Sequence, residues 1–272
     1  MAVRRIGPWY RLAVIVLKPL LLALTRRNWQ GAENLPASGG FVVVVNHISH
    51  LDPFTFGHFI YDSGYLPRFL TKEAVFRTPI VGRVVFGAQQ IPVYRETADA
   101  AASYAAAVEA VRRGECVVIY PEGTLTRDPD LWPMRGKTGA ARIALATGCP
   151  VIPVAQWGAQ QILPPYHHWP RLLPRHDVDV RAGRPVDLDR FGGRELSAEV
   201  LAEATDQVMA DLTGLVEQIR GESAPAKRWD PRASGQSVIG RPDRVDRPDR
   251  VDRPDRVDPP SDPDHRPERN QQ

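Results

Sequence analysis

The sequence predicts a mixed α/β fold: a largely parallel central sheet flanked by helices, with an N-terminal membrane-interfacial helical segment before it and a disordered C-terminal tail after it. Three observations predict this. Short apolar runs at residues 42–45, 116–120 and 151–155 lack polar alternation, as strands buried on both faces require. Stretches of helical character separate them, which is how a chain returns to begin the next parallel strand. Composition changes at both ends: residues 1–30 hold six basic and no acidic residues, and Arg-Pro-Asp-Arg-Val-Asp occurs three times in succession from Arg241 to Asp258. The expected division is a basic, apolar helical segment over 1–30, one globular domain over 31–220 and a tail over 221–272. A chain of 272 residues is long enough for one full core and does not require two.

Residues 12–24 are apolar apart from Lys18, contain Pro19, and have basic residues on both sides. That is too short and too interrupted for a bilayer span, which takes about 20 apolar residues. No small-residue cleavage pattern follows, since Thr25-Arg26-Arg27-Asn28-Trp29 is basic and aromatic. An interfacial anchor is expected, with Trp9, Tyr10 and Trp29 at headgroup level and the arginines on anionic lipid; a helix packed on the domain is the alternative. A turn-rich entry over 31–40 leads into the 42–45 strand. Residues 54–61 read as a helix, and 69–73 and 78–82 lead to a second strand ending in Ile91-Pro92-Val93-Tyr94-Arg95. The alanine-rich 99–113 places Tyr104, Val108 and Val111 on a compatible face and stops at Gly114, a helix with a clear end. After the 116–120 strand, a helix is expected from about residue 134 to 146, then a strand over 150–155. His167, His168 and Trp169 fall in a proline- and aromatic-rich loop, read as surface structure. Residues 178–181 alternate as a short strand, and Ser197 is placed to cap a helix over 199–219.

Beyond Gly221 there are eleven basic and eleven acidic residues, so the formal net charge of +3 belongs to the preceding part. Alternating charge and proline leave the repeat too polar to stack into a core. Cys116 and Cys149 give no disulfide framework and read as small buried residues, with a reducing compartment as the default. Basic residues outside the N-terminal segment neither line one helix nor interleave with aromatics, which argues against nucleic acid as a partner.

The chemistry is expected where the valine run stops, at Asn46-His47-Ile48-Ser49-His50-Leu51-Asp52-Pro53. A loop at the end of a core strand is the usual place for a reactive group in an α/β sheet. Imidazole is a general base near neutral pH if its tautomer and ring orientation are fixed, and Asp52 could accept one ring N–H and leave the other nitrogen free. Pro53 suits the first turn of a following helix. His47, His50 and Asp52 also have a spacing that a metal could use, although no further His/Cys/Asp cluster completes a shell, and no metal is expected.

A second strand-to-loop junction, Tyr120-Pro121-Glu122-Gly123-Thr124-Leu125-Thr126-Arg127, repeats this layout. Gly123 permits close backbone approach, Thr124 offers a hydroxyl, and Arg127 can grip a phosphate or carboxylate. Read as structure alone, the same residues make a turn and a helix cap. Arg95 is a cation at a strand end. Lys137 stands near a helix start, where N–H groups also favour anions, or is simply a solvated lysine.

Taken together, these blocks resemble the glycerolipid acyltransferase family, specifically the 1-acylglycerol-3-phosphate acyltransferases. His47 to Asp52 is similar to the family's His-x4-Asp motif, residues 87–95 to its second block ending in arginine, Tyr120 to Arg127 to its Pro-Glu-Gly-Thr block, and Val151-Ile152-Pro153-Val154 to its fourth. The likeness covers roughly residues 31–188, in the family's order. Leu125 stands where the family commonly has an arginine directly after the threonine, and Met134-Arg135-Gly136-Lys137 replaces an aromatic with consecutive lysines. The resemblance implies a glycerophosphate acyltransferase-like fold and acyl transfer from acyl-CoA or acyl carrier protein to the 2-hydroxyl of 1-acylglycerol-3-phosphate, for phospholipid synthesis. His47 and Asp52 would be catalytic. Arg95, Lys137 and Arg127 would hold the phosphate of lysophosphatidic acid, and Glu122, Gly123 and Thr124 would shape the acceptor pocket. It implies no cofactor beyond the thioester co-substrate, an anionic membrane surface as partner, and a peripheral or monotopic place on the cytoplasmic face of the membrane. No Ser or Cys sits in a Gly-x-Ser-x-Gly elbow, so direct transfer is the simpler scheme. Other lysolipid or glycolipid acceptors, a metal-dependent hydrolase, and a lipid-binding protein without turnover are the competing readings.

Overall fold

The computed structural model describes residues 6–94 and 100–236. Arg95 and the repeats from Arg241 to Asp258 lie outside them. The chain opens with helix α1 (Pro8–Leu24), which passes directly into strand β1 (Thr25–Gln30). Strand β2 (Phe41–Val45), helix α2 (Asp52–Asp62) and strand β3 (Pro67–Lys72) follow. Two short helices, α3 (Glu73–Phe76) and α4 (Val81–Gly87), lead to strand β4 (Ile91–Val93). Then come helix α5 (Ala100–Arg112), strand β5 (Cys116–Ile119), helix α6 (Gly139–Thr147), strand β6 (Val151–Trp157) and helix α7 (Ala159–Ile162). Strand β7 (His176–Ala182) and the long helix α8 (Ala198–Arg220) complete it.

The strands form one seven-stranded sheet in the order β1-β7-β6-β2-β5-β3-β4. All neighbours are parallel except β6 and β7, so the expected largely parallel α/β sheet is the observed one. The valine run is its centre. Phe41, Val43 and Val45 pack against Phe56, Phe59 and Ile60 of α2 on one face. Val42 and Val44 face α5, α6 and α8 through Ala107, Val111, Ile143 and Val208 on the other. An unbroken apolar run results because neither face of this strand meets water. Ser197 caps α8, its hydroxyl accepting from the Val200 amide at 3.2 Å.

Three stretches differ from the sequence expectation. Residues 134–138, expected to open a helix, are irregular, and α6 starts at Gly139. The N-terminal helical segment ends at Leu24, and residues 25–30 are the outer strand of the sheet rather than part of the helix. The Thr25 hydroxyl donates to the Leu21 carbonyl at 2.7 Å as the helix stops. Arg26 then forms a forked pair with Asp177 at 2.7 and 3.0 Å, and Asn28 donates to Asp179 at 2.5 Å, both across the parallel ladder to β7. Residues 67–72, which carried no strand signal of their own, form β3. Arg68 interrupts the apolar pattern there, yet it is buried and held by Glu115, the Ala88 carbonyl and Gln89.

Helix α1 lies against α2 and α4. Tyr10 stacks on Tyr61 at 6.2 Å between centroids, and Lys18 pairs with Asp62 at 2.6 Å. At its N-terminal end Trp9 covers Gly87 so closely that a Cβ there would stand 2.1 Å from the indole. Its outer side exposes Trp9, Leu12, Ile15, Val16 and Leu20. Among the described residues no helix is long and apolar enough to cross a membrane.

Candidate active site

The site forms where β2 and β5 end side by side. Asn46, directly after β2, is fully buried and clamped to β6: its Oδ1 accepts from the Gln156 amide at 2.8 Å, its Nδ2 donates to the Gln156 carbonyl at 3.0 Å, and the Gln156 Nε2 donates to the Asn46 carbonyl at 3.0 Å. This fixes the backbone one residue before the imidazole. Residues 46–51 then curl so that Asp52, the first residue of α2, comes back beneath His47.

Asp52 is wholly buried, and its Oδ2 accepts three N–H groups: Nδ1 of His47 at 2.9 Å, the Ile48 amide at 2.6 Å and the Ser49 amide at 2.8 Å. Burial pushes this carboxyl above its ordinary value, opposed by His47 and the two amides. All three donors converge on one oxygen. A neutral acid would have to carry its proton on Oδ1, which has no hydrogen-bond partner among the described residues. The arrangement therefore favours the carboxylate and the tautomer with the proton on Nδ1, which leaves Nε2 as the nitrogen Asp52 does not engage. The helix N-terminus adds its dipole to the same preference.

Tyr120, at the end of β5, stacks flat on the imidazole with centroids 4.0 Å apart and planes 23° apart. Burial, then the nearby Asp52, raise its phenol well above the ordinary value, so it remains neutral. His47 is thus held by a carboxylate at its edge and a ring on its face, with its side chain still 16% exposed.

The second loop is tied to the first. Glu122 is buried; its Oε1 accepts from the His47 amide at 3.2 Å and its Oε2 from the Met134 amide at 3.0 Å. The Thr126 amide donates to the His47 carbonyl at 2.7 Å. Glu122 therefore shapes the site from within, as a brace within its own loop and to the loop that carries His47. Burial is the main cause that lifts its carboxyl to about 8, with Asp52 and Asp128 adding to the rise and the two amides opposing it. Gly123 has φ of +73°, and a Cβ there would stand 2.9 Å from Nζ of Lys137, whose own amide donates to the Pro121 carbonyl at 2.8 Å. Lys137 is exposed and Thr124 half-buried beside it. Arg127 is buried, its amide directed at the Met134 sulfur at 3.1 Å.

The structure thus gathers His47, Asp52, Glu122, Gly123, Thr124, Arg127 and Lys137 around two adjoining loops. His50 reaches the surface, and partial desolvation, followed by the neighbouring His47, holds its imidazole below the ordinary value. Among the described residues no group of three His, Cys, Asp or Glu side chains converges as a metal-ligand set. The site residues without an earlier role are Tyr120, Asn46 and Gln156. Their signal is faint: a tyrosine ending an apolar strand, an asparagine before the histidine, and a glutamine in an otherwise apolar strand.

Comparison with known proteins places the chain in a family. The Acyltransferase family model matches residues 26–157. The 1-acyl-sn-glycerol-3-phosphate acyltransferase of Bacillus subtilis is 30% identical over 216 residues, 77% of this chain and 100% of that protein. A chloroplastic protein of the same name from Brassica napus is 31% identical over 189 residues, 69% of this chain and 51% of its own length. A Borreliella burgdorferi protein of that name is 34% identical over 125 residues, 46% of this chain and 48% of its own. The chain spans about half the length of these last two relatives. The crystal structure of the 1-acyl-sn-glycerophosphate (LPA) acyltransferase PlsC from Thermotoga maritima superposes with a TM-score of 0.56 at 23% identity, covering 79% of this chain and 84% of that one; that likeness concerns the fold. The chain belongs to the glycerolipid acyltransferase family.

Proposed function

We propose that the protein transfers a fatty acyl group from an acyl thioester, carried by coenzyme A or acyl carrier protein, to the 2-hydroxyl of 1-acylglycerol-3-phosphate, giving phosphatidic acid. The observation that carries this is the convergence of His47 Nδ1 and two amides on the buried Asp52 Oδ2. It supports an imidazole with one nitrogen fixed as donor and the other available as base. Nε2 takes the hydroxyl proton as the oxygen attacks the thioester carbonyl. The tetrahedral intermediate collapses with cleavage of the C–S bond, and the imidazolium returns the proton to the departing thiolate. Asp52 stays ionised and steadies the imidazolium. A positioned base of this kind is worth about 10²- to 10⁴-fold, and orientation of the two substrates supplies much of the remainder.

Lys137, the exposed cation beside Gly123, is assigned the first contact with the acceptor phosphate. Arg127, buried under the same loop, adds positive potential, and Arg95 joins them on the family resemblance alone. The thioester brings its own activation, so the scheme uses no metal or further cofactor. The acceptor is a bilayer lipid, and the exposed apolar side of α1 supports an enzyme resting on an anionic membrane surface, on the cytoplasmic side where the thioester is found.

The test is thiol release from oleoyl-CoA on vesicles containing lysophosphatidic acid, with His47→Ala beside the parent and a chelator control. Acceptor-dependent release that survives chelation and is lost in the variant is expected. Release with another lysolipid but not with lysophosphatidic acid would replace the acceptor, and silence with every donor and acceptor would leave a lipid-binding protein.

A further inference from the structure

The segment between α7 and β7 reads in sequence as surface structure, and its geometry says more. Trp169 is 87% exposed and Leu173 83%, with Leu172 also exposed between them. Side chains of this size are rarely left in water together in one short loop without a partner. Both ends of the loop are tethered. On the catalytic side the Ser49 hydroxyl donates to the Leu163 carbonyl at 2.7 Å, and the Tyr166 hydroxyl donates to the Leu125 carbonyl at 3.3 Å. His168 is close enough to His50 for its charge to be felt there. On the far side Arg175 donates to the carbonyls of Leu22 and Thr25, at 2.8 and 2.7 Å, capping the end of α1. The loop therefore bridges the rim of the active site and the helix whose outer face exposes Trp9, Leu12, Ile15, Val16 and Leu20.

Charge identifies the occupant. From Leu131 to His176 the chain has no acidic residue, and the loop itself presents Arg171 with His167 and His168. A tryptophan and a leucine pair beside cations and without carboxylates is the composition that seats at an anionic lipid headgroup layer. An acidic protein surface would satisfy the cations, but it would leave Trp169 and Leu173 wet unless it also offered an apolar pocket.

We propose that the 163–175 loop is a second bilayer-binding element, which inserts Trp169 and Leu173 into an anionic membrane and sets the mouth of the site at the lipid surface. This deepens the proposed function, and it rests on that reading for its purpose; the binding itself requires no turnover.

The experiment uses the full chain with vesicles of phosphatidylcholine and phosphatidylglycerol. Trp169→Phe is compared with the parent for quenching by brominated lipid, and a Trp169→Ala/Leu173→Ala variant for sedimentation with vesicles, with circular dichroism confirming its fold. The parent is expected to show a quenched component that Trp169→Phe lacks. The double variant is expected to partition about tenfold more weakly, the remainder being carried by α1. Unchanged quenching and partition would overturn the proposal. So would a Trp169 emission shift seen with acyl carrier protein but not with vesicles, or a concentration-dependent shift without lipid, which would point to a second copy of the chain. Insertion of the loop in a protein with no transferase activity would instead refute the reaction and leave the loop standing.

Discussion

Replacing Asp52 by asparagine isolates the charge behind His47 with little change of shape. The carboxylate meets the imidazole at 2.9 Å, which puts the two charges about 4 Å apart once the ring is protonated. At an effective dielectric of about 20 that separation corresponds to about 4 kcal/mol. The interaction exists only while the proton is on the ring, so it lowers the barrier rather than tightening binding. The expected loss in kcat is about three orders of magnitude, with KM little changed. Asparagine can still accept from the Ile48 and Ser49 amides through its oxygen, but its NH2 then occupies the buried Oδ1 position, where the carboxylate oxygen makes no hydrogen bond among the described residues. That costs about 1–3 kcal/mol of stability, enough to lower the melting temperature without unfolding the protein. The assay is thiol release on lysophosphatidic acid vesicles, run for Asp52→Asn, His47→Ala and the double variant. Because Asp52 acts through His47, the double variant should be no slower than His47→Ala alone. A loss of less than about tenfold in Asp52→Asn, or a fully multiplicative loss in the double variant, would refute the assignment.

Three further predictions follow from neighbouring residues. Glu122 has a carboxyl lifted to about 8 in the folded protein against an ordinary 4.5, so between those values the native state binds a proton that the unfolded chain releases. Stability should accordingly fall as pH rises through that window, by up to about 1.4 kcal/mol per pH unit. Melting curves from pH 5 to 8 should show that slope in the parent and a flatter one in Glu122→Gln, which is also less stable because its amide faces the His47 or Met134 N–H. Gly123→Ala places a Cβ at φ of +73° and 2.9 Å from Lys137 Nζ; steady-state kinetics should show KM for the phosphate-bearing acceptor rising several-fold, with about 1–2 kcal/mol lost on chemical denaturation. Asn46→Ala strips the buried Gln156 amide and carbonyl of their partners, and urea titration should show a loss of about 2–4 kcal/mol together with a lower kcat.

Legibility of the fold followed how local each cause was. The 42–45 run, the alanine-rich α5 and the Ser197 cap carry their reasons within a few residues, and so did the pairing of His47 with Asp52, which needs only one tight loop. Strand β1 was hidden because Arg26 and Asn28 find their partners on β7, 151 residues away. Strand β3 was hidden for the same kind of reason, since Arg68 is tolerated inside only through Glu115, Ala88 and Gln89. The position of Glu122 is the most instructive. In sequence it is a polar residue in a turn beside a glycine, equally suited to face substrate or solvent. In the fold it faces inward, where the His47 and Met134 amides, 75 and 12 residues distant, donate to its two oxygens. A carboxyl buried with an elevated proton affinity would be a poor choice for a turn alone. Its expense is offset by coupling the loop that holds the base to the loop that holds Lys137. The two halves of the proposed reaction, proton removal at His47 and phosphate binding at Lys137, are thereby set at a fixed separation, and that separation has to match the span between the 2-hydroxyl and the phosphate of one acceptor molecule.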